Sequence, residues 1–335
     1  MTYRPPRAAV LAGLGSWLPP DVLTNAELEA RLDTSDEWIR SRTGIASRHR
    51  VTPGMSTSDL AVEAGGRALK SSGDDRVDAV VLATTTPDEL CPATAPQVAA
   101  RLGLGTVPAF DVSAVCAGFL YGLSTAAGLI ATGGAERVLL IGAEAFTTLI
   151  DPGDRTTAAI FGDGAGAVVL RAGDPGEAGA LGPVVLGSDG GRSDLAEVPG
   201  GGARRRVPDA DAPPYLRMQG REIFRHAVRH MTAACRTATE AAGWQLADVD
   251  RLVAHQANAR IIGAVADGLG VPPERRASNI ERVGNTAGAS VPVLLAEENA
   301  AGRLAEGDRV LLTAFGGGLA WGATTLVWPS LTSVP

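Results

Sequence analysis

The 335 residues contain one lysine, Lys70, so nearly all of the 30 basic side chains are arginine. Acidic residues outnumber them at 37, giving a net charge of -7, which argues against nucleic acid as a general partner. The three cysteines, Cys91, Cys116 and Cys235, are odd in number and far apart. They form neither a disulfide framework nor a CxxC metal pattern, so no metal site is expected and a reducing, cytoplasmic setting fits best. Long apolar runs are missing too. None approaches the ~20 residues of a membrane-spanning helix, and MTYRPPRAAVLAGLGSW lacks the parts of a signal peptide, so no membrane association is expected. Hydrophobic content of 45% with 20% charged residues is ordinary for a soluble globular chain. The length suffices for one large α/β domain or two fused halves.

What the chain does contain is a repeat. VDAVVLATTT (77–86) and VDRLVAHQAN (249–258) both read as an acidic turn entering a buried strand, 172 residues apart. ERVLLIGAE (136–144) and DRVLLTAFG (308–316) stand at the same offset, which points to a duplicated βα unit. A third pair, IFGDGAGAVVL with AFGGGLAWGATTLV, aligns Phe161 with Phe315 at an offset of 154, the first copy carrying an extra loop near residues 145–160.

The repeat gives Cys116, in DVSAVCAGFLYGL, a counterpart at Gly288, in VGNTAGASVPVLL. Both segments follow a short extended stretch and open an apolar run of helical length. Two buried helices related by a pseudo-twofold axis then bring their N-terminal ends together, where α/β folds build sites. A buried cysteine is most often a small core hydrophobe. One at a helix N-terminus is instead placed where the macrodipole favours the thiolate. Among four histidines, His255 ends a duplicated strand. His226 and His230 fall on a helix with Arg221, Arg225 and Arg229 and read as surface residues, and His49 lies in an arginine-rich segment away from any strand end. Asn285 in GNTAGAS is either a turn residue or a polar group at the mouth of the second helix. GLG (13–15) and GDGAG (162–166) fail the dinucleotide pattern and read as turn and close-packing glycines.

Six segments in order, TSDEWIRSRTGI, DVSAVCAGF, FGDGAGA, HQANARI, GNTAGAS and AFGGG, make the chain resemble the β-ketoacyl-[acyl-carrier-protein] synthase III family of the thiolase superfamily. The resemblance implies an α/β, thiolase-like duplicated fold, with pseudo-twofold-related halves at 1–172 and 173–335 in α-β-α-β-α layers. It implies an acyltransferase of fatty-acid or polyketide synthesis that uses no cofactor beyond its coenzyme A thioester substrate. Cys116 would take the acyl group from an acyl-CoA primer. Malonyl-[acyl-carrier protein] would then lose carbon dioxide, and His255 and Asn285 would donate hydrogen bonds to the resulting enolate. The N–H groups of Cys116 and Gly317 would form a second oxyanion hole, and Phe315 would wall the malonyl side. Trp38 and Arg155 would clamp the adenine of coenzyme A, Arg42 would meet its phosphates and Asn258 its pantetheine arm. Trp38 is otherwise a partly buried surface aromatic.

The resemblance also implies a homodimer in which Cys91, where several members carry phenylalanine, lines the partner's primer pocket. A smaller side chain there leaves room for primers longer or more branched than acetyl. Arg225 and Arg260 match carrier-protein docking positions. A lysine pair found in some members is here Asp267-Gly268, so docking must lean on the 221/225/229 stripe, unless that stripe is a solvated helix face. The rivals are an acyltransferase of the same fold without condensation, a priming synthase of a polyketide pathway, a cysteine hydrolase with the Cys–His–Asn order, and a non-catalytic acyl-binding homologue, which the presence of Cys116, His255 and Asn285 disfavours.

Overall fold

The computed structural model describes residues 7–209 and 211–334. Its strands are β1 (Ala8–Trp17), β2 (Asp21–Thr24), β3 (Ser47–Arg50), β4 (Ala79–Ala83), β5 (Ala109–Val112), β6 (Arg137–Glu144), β7 (Gly164–Gly173), β8 (Val185–Ser188), β9 (Ala196–Glu197), β10 (Arg217–Met218), β11 (Arg251–Ala254), β12 (Arg309–Gly316) and β13 (Ala320–Val327). They form a five-stranded sheet in the order β1-β7-β6-β4-β5 and a four-stranded sheet in the order β11-β12-β13-β8, with β2–β3 and β9–β10 as small pairs. The order β1-β7-β6-β4 has its counterpart in β8-β13-β12-β11, and the pairing senses agree: β4 with β6 and β11 with β12 are parallel, the others antiparallel.

Buried strands need apolar residues on both faces, and the period of two sorts them between layers. On β6, Val138 and Leu140 face one core while Leu139 and Ile141 face another. On β12, Val310 and Leu312 join the first core, and Leu311 and Phe315 a third. The shared core is the middle layer, where helices Gly118–Ala131 and Ser290–Ala300 lie between the sheets. Helix Thr57–Ser72 covers the outer face of the first sheet, and helices Gly220–Ala241 and Ala259–Leu269 lie outside the second. The result is the α-β-α-β-α arrangement of the thiolase-like fold.

The offset of 172 holds through the site. Short 3-10 turns at Val115–Ala117 and Ala287–Ala289 lead into the two middle helices, which start at Gly118 and Ser290. Val115 and Ala287, a further pair at that spacing, are, among the described residues, the non-glycine residues with left-handed backbone, φ 48° and 45°. The third strand pair needs correcting. Register equates Arg171 with Val327, an offset of 156 rather than 154, because Arg137 pairs with Arg171 and Arg309 with Val327. Phe161 lies near the end of the long connection from β6 to β7, whereas Phe315 lies within β12, so the two are not equivalent.

The glycines of GLG and GDGAG are close-packing positions. A Cβ on Gly13 or Gly15 would stand 2.4 or 2.6 Å from a carbonyl of helix Thr57–Ser72. One on Gly166 would stand 2.6 Å from the backbone of Pro292 and Val293. We expect Gly166→Ala to destabilise the protein by about 1–3 kcal/mol, because the middle helix must move off the sheet. Gly176→Ala, in open space, is the control. A shift of the urea midpoint in the first variant only is the expected result.

Candidate active site

Cys116 opens the first middle helix, and the equivalent turn of the second half lies beside it. Gly316 at the end of β12 packs on it: a Cβ there would stand 2.7 Å from the Cys116 nitrogen and 3.2 Å from its Cβ. This close approach requires glycine. Among the described residues, neither the Cys116 nor the Gly317 N–H donates to a backbone carbonyl or to another residue's side chain. Cys116 and Gly317 line an apolar cavity of about 130 Å³ together with His255, Asn285 and Phe315, so the five expected residues converge.

His255 follows β11 and is 1% exposed, with Nδ1 sealed in and unpaired. Burial pushes its pKa down to about 3, so the ring is neutral at physiological pH. Asn285 is held by its backbone, donating to the Ile160 carbonyl at 2.9 Å and accepting from the Gly162 N–H at 3.0 Å. Its Oδ1 accepts from the Ala287 N–H at 2.9 Å, which orients the carboxamide. The Nδ2 donor has no protein partner among the described residues. Both Asn285 readings hold: it is a turn residue, and it presents a polar group to the cavity.

The thiol departs from expectation. Cys116 is at a helix N-terminus, yet burial pushes its pKa upward, the Glu144 carboxylate adds to this, and its own backbone N–H opposes it. Desolvation outweighs the helix end, and the resting group is a thiol. His230 is a second correction. It is no free surface residue but stacks on Trp321, ring centroids 3.9 Å apart, and lies 6.3 Å from the Phe315 ring. Three residues that sequence reasoning passed over also belong here. Phe146 and Phe161 stack at 4.6 Å beside Cys116. Asp163, inside GDGAG, anchors the Phe146 loop by accepting from the Thr147 N–H at 2.8 Å and the Val51 N–H at 2.7 Å. The extra loop at 145–160 was the available signal for the phenylalanines.

An outer cleft of about 890 Å³ shares Ile160, Gly220, Asn258 and Ile261 with the inner cavity and is walled by Trp38, Arg42, Arg225 and Arg260. The guanidinium carbons of Arg42 and Arg155 lie 4.6 and 5.3 Å from the Trp38 ring centroid. Asn258 is largely committed to the protein. Its Oδ1 caps helix Ala259–Leu269 through the Arg260 N–H at 2.8 Å, and its Nδ2 donates to the Arg42 carbonyl at 3.1 Å. Arg221 also lines the cleft, but Arg229 does not, so the arginine stripe divides. Cys91 is exposed and outside this chain's own cavity, beside Leu90 at 92% exposure.

A lone cysteine at a helix mouth, two unpaired N–H groups and two neutral donors in a thiolase-like fold define an enzyme of the acyltransferase class. Comparison with known proteins narrows this. The family model described as 3-oxoacyl-[acyl-carrier-protein (ACP)] synthase III matches residues 110–190, and that of its C-terminal part matches residues 239–328. The chain is 61% identical over 333 residues to β-ketoacyl-[acyl-carrier-protein] synthase III 3 of Streptomyces coelicolor, covering 98% of this chain and 99% of the relative. The crystal structure of 3-oxoacyl-(acyl carrier protein) synthase III from Pseudomonas aeruginosa superposes with TM-score 0.92 at 51% identity, covering 98% of this chain and 100% of the other. A priming β-ketosynthase from a polyketide biosynthetic pathway also gives TM-score 0.92, at 35% identity, covering 98% and 99%. The chain belongs to the β-ketoacyl-[acyl-carrier-protein] synthase III family. Among the described residues, no helix is long and apolar enough to cross a membrane.

The neutral histidine has a pH consequence. An unfolded chain protonates His255 as pH falls through about 6.5, while the folded site resists until about 3. This contribution to stability is complete above the unfolded value and is lost as pH drops across that window. We expect the His255 ring resonance, assigned with His255→Gln, to stay fixed between about pH 8 and pH 5 in NMR spectra of the folded protein. Movement with an ordinary midpoint would mean the ring is hydrated.

Proposed function

We propose that this chain condenses an acyl-CoA primer with malonyl-[acyl-carrier protein] through an acyl-Cys116 intermediate. The observation that carries this reading is the meeting of one thiol, two unpaired N–H groups and two neutral side-chain donors in a single apolar cavity. In the first step the Cys116 sulfur attacks the thioester carbon. The Cys116–acyl bond forms, the bond to coenzyme A breaks, and the thiol proton leaves with coenzyme A. The carbonyl oxygen, as it gains charge, takes hydrogen bonds from the Cys116 and Gly317 N–H groups.

In the second step the malonyl thioester loses carbon dioxide, and the electron pair of the broken C–C bond becomes an enolate. His255, neutral and protonated on Nε2, and Asn285 through Nδ2 both donate to the enolate oxygen. The enolate carbon attacks the acyl-Cys116 carbonyl, and collapse of the tetrahedral intermediate breaks the Cys116–acyl bond, leaving the β-ketoacyl thioester and a Cys116 thiolate that takes a proton from solvent to restore the resting thiol. Phe315, 5% exposed, forms an apolar wall that disfavours a carboxylate and keeps water from the acyl group. A histidine that binds protons this weakly suits donation better than base catalysis, which argues against the hydrolase. Transfer without condensation needs Cys116 and its N–H groups but not the second donor pair, so that pair favours condensation.

The outer cleft fits coenzyme A, with Trp38, Arg42 and Arg155 as an aromatic and cationic site for adenine and phosphates. Arg221, Arg225 and Arg260 on the same rim suit an acidic carrier protein. The exposed Leu90–Cys91 tip suits burial in a second copy of the chain, with Cys91 at that copy's primer pocket. The halves 1–172 and 173–335 remain our division of the chain, and the reaction requires no cofactor.

The test is incubation with acyl-CoA and malonyl-carrier protein. Carbon dioxide with β-ketoacyl product is expected; acyl-carrier protein alone means transfer, and free acid means hydrolysis. Cys116→Ala should take no acyl mass. Asn285→Ala and His255→Ala should each lose condensation by roughly 10²-fold or more while still acylating themselves. Equal loss of both steps in His255→Ala would make that histidine the base for Cys116.

Primer choice gives a second prediction. Replacing a bulky aromatic by Cys91 frees space for two or three carbons, each worth ~0.8 kcal/mol on burial. C4–C6 or branched primers should therefore exceed acetyl-CoA in kcat/KM by roughly tenfold or more, and Cys91→Phe should reverse the order. Faster turnover of acetyl-CoA by the unmodified protein would show the space to be closed by other side chains.

A further inference from the structure

The repeat assigns Glu144, the last residue of β6, a counterpart in Gly316, the last residue of β12. Each faces the turn of the other half. Gly316 lies over the Cys116 nitrogen and leaves the N–H open to the cavity. Glu144 lies over Gly288, the counterpart of Cys116, and its Oε1 accepts from the Gly288 N–H at 3.4 Å. Its Oε2 accepts from the Thr85 N–H at 3.0 Å and the Thr86 hydroxyl at 3.1 Å, beyond the end of β4. The carboxyl is fully buried, with no cation among its hydrogen-bond partners. The pseudo-symmetric copy of the oxyanion site is thus filled by the protein's own acid.

We propose that Glu144 is a positioning residue for the condensation: it fills the twin of the oxyanion hole, anchors the 285–289 loop that carries Asn285, and sets the electrostatics around the Cys116 sulfur. The proposal rests on the assignment of Cys116 as nucleophile. Glu144 ties Gly288, three residues from Asn285, to Thr85 and Thr86 of the other half, so the two donor sites share one brace. Burial raises the carboxyl pKa to about 7, against the pull of the Thr85, Thr86 and Gly288 hydrogen bonds. As pH rises through that value the carboxyl gains charge, and that charge opposes formation of the Cys116 thiolate. The titratable groups on surrounding elements are few. Cys116 faces Glu144 from the adjoining turn. Asp163, at the start of β7, is bonded to Thr147 and Val51, and Asp88, beyond Thr86, is bonded to Ser56 and Ser58. His255, after β11, lines the cavity as a neutral ring.

The test measures the rate at which iodoacetamide alkylates Cys116 as a function of pH, by peptide mass spectrometry so that Cys91 and Cys235 do not contribute. In the unmodified protein the logarithm of the rate should flatten as pH rises through the carboxyl midpoint, because the new charge cancels the gain in hydroxide. Glu144→Gln should remove the flat region and speed alkylation by roughly tenfold above pH 7.5, one unit of thiol shift. Glu144→Asp keeps the charge but cannot reach both Gly288 and Thr86. It should keep the flat region and lose condensation by at least tenfold relative to self-acylation. A Glu144→Gln profile superimposable on the unmodified one, in protein with an unchanged melting temperature, would overturn the proposal. If Glu144→Gln does not fold, an unchanged ratio of condensation to acylation in Glu144→Asp overturns it instead. Acyl mass found on a residue other than Cys116 would remove the nucleophile assignment, while the alkylation profiles would still judge Glu144.

Discussion

Two helices meet at their N-terminal ends with almost nothing between them, and the rest of the molecule is arranged to permit it. A Cβ on Gly142 would stand 2.7 Å from the Gly288 carbonyl, and one on Gly288 would stand 3.1 Å from the Val115 carbonyl. Val115 and Ala287 enter these turns with left-handed backbone, which costs a non-glycine residue on the order of 1–3 kcal/mol. Such strain persists only where packing over-determines it. Here the middle-layer core holds both helices between two sheets, with Phe119, Leu120 and Leu294 each 1% exposed or less. The strain sits beside the nucleophile, and its twin sits beside the asparagine.

Much of this was legible in the sequence, for a physical reason. Strands buried on both faces must be runs of Val, Leu and Ile, and a duplicated sheet repeats those runs at a fixed spacing. The third strand pair was misjudged by two residues because Phe161 and Phe315 look equivalent in sequence. Hairpin length decides the matter: three residues separate β12 from β13, but nineteen separate β6 from β7. An error of two leaves the inward and outward faces unchanged, so the fold was still readable.

Site residues were legible where the repeat fixed their place, as for Cys116, His255 and Asn285. They were not legible where the outcome depends on what lies across space. A helix N-terminus suggests a thiolate, but only three dimensions reveal that the sulfur is buried with the Glu144 carboxyl near it. His230 sits in an arginine-rich helical stripe and reads as solvated, yet Trp321, 91 residues later, covers its ring. The arginine stripe turns with the helix, which is why Arg221 and Arg225 reach the cleft and Arg229 does not.

Charge is distributed by depth. The outer cleft carries arginines beside Trp38, where planar guanidinium groups stack on an aromatic face as an ammonium cannot, and the scarcity of lysine is no handicap there. The inner cavity holds its two ionisable groups, the Cys116 thiol and the His255 imidazole, uncharged beside the Asn285 carboxamide. These states share one cause, burial in an apolar wall. A site that resists charge at rest also screens poorly the charge that develops during reaction, so a few fixed donors exert more force on it than they would in water. The burial that makes Cys116 a reluctant thiolate is therefore the same burial that gives the Cys116, Gly317, His255 and Asn285 donors their leverage.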